Sequence, residues 1–249
     1  MPNNTLQHVV ILMAMQGEAS PFIEHFQMPE HSSGLSPALP FRCFQKTIGG
    51  IKVSLLTSGL DKQHQVDNIG CEPATLMAHE AINKLAPDLL ISAGTAGGFS
   101  AKGAQIGTVY ASEKYFIFHD RLVPMPGFDQ AGEGCYPSLN VNQLAADLKL
   151  ETGIVSSGSS LEKNVKDARV IDKHSAVAKE MEAAAIAWVA NLYGAPFFAL
   201  KSITNLVDED NQSETEFVKH FDVAVAQLTE KLISVVDYLQ HKTLSDLSN

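Results

Sequence analysis

Apolar positions follow two rhythms along this chain. Short unbroken runs at residues 9–14, 89–92 and 153–157 read as strands buried on both faces. Other stretches repeat at helical spacing. After Gly17, residues 18–26 place Phe22, Ile23 and Phe26 on one helical face. Residues 75–85 are helical and stop before Pro87. The strongest amphipathic signal lies near the C-terminus, where Phe217, Phe221, Ala224, Leu228, Leu232, Val235 and Leu239 recur every three or four positions. Residues 182–193 are apolar on nearly every side, which predicts a buried helix. Residues 41–48 and 51–57 flank Gly49-Gly50, a hairpin signal. Residues 106–112 and 196–201 read as further strands, and residues 32–40 as a loop. Residues 119–137 are rich in Pro and Gly and lack any period. They read as one long loop, of the kind that covers substrates.

Strands alternate with helices, and no linker or repeat interrupts them. The pattern predicts a single α/β domain over residues 1–249, with a central sheet whose strand ends carry the site loops. The early hairpin makes that sheet mixed rather than purely parallel.

Composition narrows the partners. Hydrophobic residues make up 45% of the chain, enough for a sizeable core, and the formal net charge is -10. With no basic run, the chain is a poor match to a nucleic-acid backbone, and a small-molecule substrate is expected instead. No run of about 18 apolar residues occurs, so no membrane span is expected. The three cysteines, Cys43, Cys71 and Cys135, are odd in number and lack CxxC spacing. That argues against a disulfide framework and for a cytoplasmic location, as does the absence of a signal-peptide pattern.

Candidate chemistry sits at strand ends. Met15-Gln16-Gly17-Glu18 follows the first strand, and a carboxylate at a helix start is stabilised by the helix dipole. Gly94-Thr95-Ala96-Gly97-Gly98 follows another strand; it can admit a ligand close to backbone or form a tight structural turn. Glu180-Met181-Glu182 precedes the apolar helix. Acids there are costly unless they face water or a polar ligand, and a pair of ribose hydroxyls would suit a carboxylate acceptor. Capping acids are the plainer reading. Lys201-Ser202-Ile203-Thr204-Asn205 closes a strand. Asn205 can offer a purine edge both a donor and an acceptor, or serve as a turn residue. The nine histidines show no paired-ligand spacing, so no metal is assigned, and His119-Asp120 reads as surface structure.

Taken in order, Ala14 to Glu18, Ala93 to Gly98, Glu180 to Glu182 and Lys201 to Asp208 resemble the 5'-methylthioadenosine/S-adenosylhomocysteine nucleosidases. The likeness covers most of the chain. It is closer to the plant-type members through Leu39-Pro40, Phe118-His119-Asp120-Arg121, Phe128-Asp129 and Leu206-Val207-Asp208. The resemblance implies a purine-nucleoside-phosphorylase-like three-layer α/β sandwich that needs no cofactor and forms a homodimer. It implies that Glu18 activates the attacking water and that Thr95 lies beside ribose and water. Met181 and Glu182 would contact ribose, with Glu182 taking the hydroxyls, and Glu180 is expected among the substrate-binding residues with them. Leu161 and Glu162 would lie along adenine. Asn205 falls where the family carries the aspartate that protonates adenine N7, and Thr204 resembles the hydroxyl residue supporting that acid.

Two positions depart from the family: Asn205 cannot donate a carboxylic proton, and Ser159 stands where an aspartate is usual. Three readings therefore stand side by side. The chain is a nucleosidase slowed at Asn205, a catalytically silent nucleoside-binding protein, or a 6-oxopurine nucleoside hydrolase or phosphorylase.

Overall fold

The computed structural model describes residues 5–32, 34–162, 164–209 and 213–248. Its centre is a nine-stranded mixed sheet. β1 (His8–Met13) lies between β3 (Ile51–Thr57) and β4 (Leu89–Gly98), parallel to both, and β2 (Arg42–Ile48) closes the hairpin with β3. All six residues of β1 are buried, as an unbroken apolar run between two neighbours requires. Beyond β4 come β8 (Ala178–Glu180), β7 (Glu151–Ser157), β5 (Val109–Phe118) and the two-residue β6 (Tyr136–Pro137). β9 (Phe197–Leu206) pairs with both β4 and β5, so this half of the sheet closes on itself.

Helices cover both faces. On one, α1 (Gln16–Phe26), α4 (Asn142–Leu148) and α7 (Ser213–Leu239) enclose a core with Ile11, Phe22, Leu55, Phe198, Leu228 and Leu232. On the other, α2 (Cys71–Leu85) and α6 (Ala183–Tyr193) pack together over Leu12, Leu90, Phe116 and Ala199. This is a three-layer α/β arrangement. The α7 stripe is as expected from Ala224 to Leu239, with Ala224, Leu228, Leu232, Val235 and Leu239 all buried, while Phe217 and Phe221 are only half-buried.

Several expectations need correction. Residues 94–98 do not turn; they continue β4, because β9 and β8 supply ladder partners on either side. The strand expected at 196–201 likewise runs on to Leu206, and that at 106–112 is displaced to Val109–Phe118. The loop at 119–137 contains a short helix, α3 (Phe128–Glu133), and β6. His119 is fully buried rather than superficial. α2 starts at Cys71, four residues before the periodic signal, with Pro73 tolerated in its first turn. α4, α5 (Val165–Lys173) and β8 carry too little periodic apolar sequence to be read. No helix among the described residues is long and apolar enough to cross a membrane.

Candidate active site

β4 loses its neighbours on one edge in the middle of its length. β1 accompanies it to Ser92, and β8 joins only at Gly97. The intervening backbone must find other partners. The Thr95 N–H donates to Glu18 Oε1 at 2.7 Å, and the Thr95 hydroxyl donates to the same oxygen at 2.6 Å. A crevice where strand partners change is where open α/β sheets collect ligands.

Glu18 is the third residue of α1, so its carboxylate lies at the start of the helix, where the dipole favours an anion. Gly94 makes room for it. A Cβ there would lie 3.3 Å from Glu18 Oε2 and 3.6 Å from Lys201 Nζ. Burial raises the Glu18 pKa; the Thr95 hydrogen bonds and the Lys201 charge oppose that without cancelling it.

Lys201 is a buried cation beside the crevice. Its Nζ lies 2.8 Å from Glu180 Oε2 and donates to Ser92 Oγ at 3.2 Å. Burial opposes its charge, but Glu180 and Glu182 outweigh that and hold the ammonium above its usual range. Burial acts against the charge of Glu180 too, and Lys201 with its other donors keeps that carboxylate ionised. Those donors are the Ser157 hydroxyl and the N–H groups of Glu182 and Ala183. The Glu180 oxygens are thus occupied by protein.

Glu182 differs. It is half-buried, accepts only the Gly70 N–H among the described residues, at 2.9 Å, and has its pKa pushed up to about 7 by burial and then by the charge of Glu180, against the pull of Lys201. A carboxyl raised from 4.5 to about 7 holds more protons folded than unfolded. Stability is lost as pH rises through that window. Glu182→Gln is therefore expected to raise Tm at pH 8 and to change it little at pH 4.5. Calorimetric melts at both pH values check this; an equal shift at both would show that charge is not the cause.

At the far end of the opening, β9 presents Thr204 and Asn205, both buried. The Thr204 hydroxyl lies 3.0 Å from Asn205 Oδ1 and 3.2 Å from the Ala96 carbonyl. With Oδ1 engaged by this hydroxyl, Nδ2 is the free donor. Gly97 is adjacent: a Cβ there would sit 3.2 Å from Asn205 Nδ2 and 2.4 Å from Val207 Cγ2.

Glu18, Thr95, Leu161, Glu180, Met181, Glu182, Thr204 and Asn205 line one cleft, together with Met15, Ile69, Gly97, Lys179 and Phe217. Glu162 is exposed and outside that lining. Among the described residues no three His, Cys, Asp or Glu side chains converge as metal ligands.

The chain matches the phosphorylase superfamily over residues 8–237. The 5'-methylthioadenosine nucleosidase of Arabidopsis thaliana is 35% identical to it over 243 residues, covering 97% of this chain and 91% of the relative. The chain belongs to the 5'-methylthioadenosine/S-adenosylhomocysteine nucleosidase family. A second Arabidopsis member, a 5'-methylthioadenosine/S-adenosylhomocysteine nucleosidase, is 34% identical, covering 96% of this chain and 94% of its own. The apo structure of the Arabidopsis 5'-methylthioadenosine nucleosidase superposes with a TM-score of 0.95 at 35% identity, covering 98% of this chain and 100% of that one.

Within this family frame, the residues missed from sequence are instructive. Lys201 closes an apolar run, which by itself does not mark it as buried among carboxylates. Lys179 sits in a three-residue strand. Ile69 precedes α2 in a loop, and Phe217 was counted in the core stripe although it faces the cleft. The one available signal was for Lys201: three acids expected inside a crevice need a nearby cation.

Proposed function

We propose that this chain hydrolyses the N-glycosidic bond of 5'-methylthioadenosine to adenine and 5-methylthioribose, with S-adenosylhomocysteine as the second substrate to assay. The observation that carries the reading is the layout along β4. Glu18 is held at Thr95, and Asn205 pairs with Gly97, two residues further. Two strand residues span roughly 6.6 Å. Glu18 and Asn205 thus meet one cleft at successive places along β4, an order that suits a water on one side of the ribosyl C1' and the N7 edge of a purine on the other.

Glu18 takes a proton from water as its oxygen bonds to C1'. The C1'–N9 bond breaks, its electron pair passes to the base, and the base takes a proton from solvent to become adenine, because Asn205 has none to give. The ribosyl group gains cationic character, which the surrounding carboxylates favour. Glu182, with open acceptor capacity, is assigned the ribose hydroxyls; Met181 and Thr95 flank them. Leu161 packs on the base, and Glu162 contributes no side-chain contact in this scheme. Glu180 acts through Lys201 rather than on the nucleoside.

A second reading rests on Asn205 Nδ2, the donor left free by Thr204. Two N–H groups match the N7 and O6 acceptors of a 6-oxopurine better than they match adenine, whose 6-amino group is itself a donor. Base release from methylthioadenosine, S-adenosylhomocysteine and inosine, each with and without phosphate, separates these readings. Adenine release that ignores phosphate is expected. Hypoxanthine release alone would replace the substrate, phosphate-dependent release would replace the reaction, and nucleoside binding without release would leave a silent binding protein.

The exposed apolar residues Leu76 on α2 and Trp188, Leu192 and Tyr193 on the adjoining α6 support assembly as a homodimer. Sedimentation is then expected to give about twice 26.9 kDa; a species of single-chain mass at assay concentration would refute it. Cys43, Cys71 and Cys135 form no disulfide among the described residues, which suits the reducing cytoplasm.

A further inference from the structure

The segment Gly158–Leu161 leaves β7 and brings Leu161 to the cleft. It contains Ser159, the second departure from the family pattern, yet each of its residues is fixed from outside. The Gly158 N–H donates to the Glu180 carbonyl at 3.0 Å, and the His119 ring lies so close that a Cβ on Gly158 would fall 2.2 Å from Nε2. The Ser159 N–H donates to Asp120 Oδ2 at 2.7 Å. The Ser160 and Leu161 carbonyls both accept from Lys179 Nζ, at 2.6 and 3.0 Å.

Lys179 is buried and stands in register with Gly97 on β8, while Asn205 stands in register with Gly97 on β9. Paired residues of neighbouring strands present side chains to the same face. Gly97 has none, so Lys179 and Asn205 flank a bare strip of β4 within the cleft. The lysine that grips the segment is thereby tied to the same strand row as the amide. A loop carrying exposed serines and a glycine would otherwise lose conformational freedom on meeting a ligand, and binding would be weaker for it.

We infer that Lys179 and Asp120 are positioning residues that hold Gly158–Leu161 ready for the purine base. The inference rests on the proposed placement of the base beside Leu161 and Asn205. It assigns both residues to base affinity rather than to bond cleavage. Lys179→Met keeps the aliphatic stem and removes both tethers of the Ser160 and Leu161 carbonyls. Asp120→Asn weakens the tether on the Ser159 N–H.

The test is calorimetry with free adenine and with free 5-methylthioribose, alongside steady-state kinetics. For Lys179→Met, adenine affinity is expected to fall about tenfold to a hundredfold, as for loss of charged hydrogen bonds. The affinity for 5-methylthioribose should be unchanged. KM should rise with kcat held within about threefold, the signature of lost ground-state positioning. Asp120→Asn should show the same pattern at smaller size. Equal weakening of adenine and methylthioribose, unchanged adenine affinity, or a fall in kcat at constant KM would each overturn the inference. Should Lys179→Met fail to fold, Asp120→Asn decides, because Asp120 is exposed. A chain that releases no base but binds adenine refutes the proposed hydrolysis, and the two adenine affinities still decide the loop.

Discussion

Glu18→Gln is expected to lower kcat/KM for methylthioadenosine by about 10²–10⁴-fold, the usual loss when a general base is removed. Glutamine matches the size of Glu18, and its amide oxygen can still accept from the Thr95 N–H and hydroxyl. The fold and the crevice should survive, so nucleoside affinity should change little. What disappears is basicity. Burial holds the Glu18 pKa above the ordinary carboxylate range, and that suits a base, because the proton it accepts from water is then held more firmly. The parent rate should rise with pH through the Glu18 pKa and then level off, and Glu18→Gln should lose that rising limb. Because Glu182 also titrates near neutrality, the profile is best followed at saturating substrate, where the loss of binding is suppressed. Asn205→Asp provides a faster background if the parent rate is low. Undiminished turnover by Glu18→Gln would remove this carboxylate from the reaction.

The fold was legible where one element carries its own signal. The α7 stripe and the β1 run could be read because burial of one helical face, or of a whole strand, leaves a period in the sequence. β8 could not. Ala178-Lys179-Glu180 looks solvated, and it is a strand only because β7 and β4 both offer it backbone partners. α5 left a clue in Asn164, whose side chain accepts the N–H groups of Lys166 and Asp167 at the helix start, but a short and mostly charged helix shows little apolar period.

The site followed the same division. Glu18, Thr95, Glu182 and Asn205 were found through an ordered set of motifs, and the structure gathers them in one cleft. The roles of Lys201 and Lys179 were not legible, since each depends on carboxylates or carbonyls distant in sequence. Glu180 shows the converse. Sequence proximity groups it with Glu182 at the substrate, and the two line the same cleft from a strand end. One turns into the Lys201 ion pair while the other keeps an open acceptor.

Asn205→Asp is expected to raise adenine release from methylthioadenosine by about 10²–10⁴-fold, the contribution of a general acid. The two side chains have nearly the same shape, which matters because Gly97 leaves little space beside Nδ2. The introduced carboxyl keeps an oxygen for the Thr204 hydroxyl, so its orientation is preset. At a position only 3% exposed, burial favours the protonated acid, the form needed to donate. As the C1'–N9 bond breaks, its electron pair passes to the purine and the acid proton goes to N7, so adenine departs neutral. In the unmodified chain the amide hydrogen-bonds N7 but transfers nothing, and the base must leave with its negative charge only partly offset. Binding should therefore be similar in both proteins while kcat differs. Inosine gives the opposite contrast: the amide donors that suit N7 and O6 are lost, so release of hypoxanthine should fall in Asn205→Asp. Measuring both bases from both proteins resolves the question. A gain on methylthioadenosine identifies a nucleosidase held back at this one position. No gain, with inosine already cleaved by the unmodified chain, identifies a 6-oxopurine enzyme. Absence of turnover in either protein, with nucleoside still bound, leaves a silent binding protein and refutes hydrolysis.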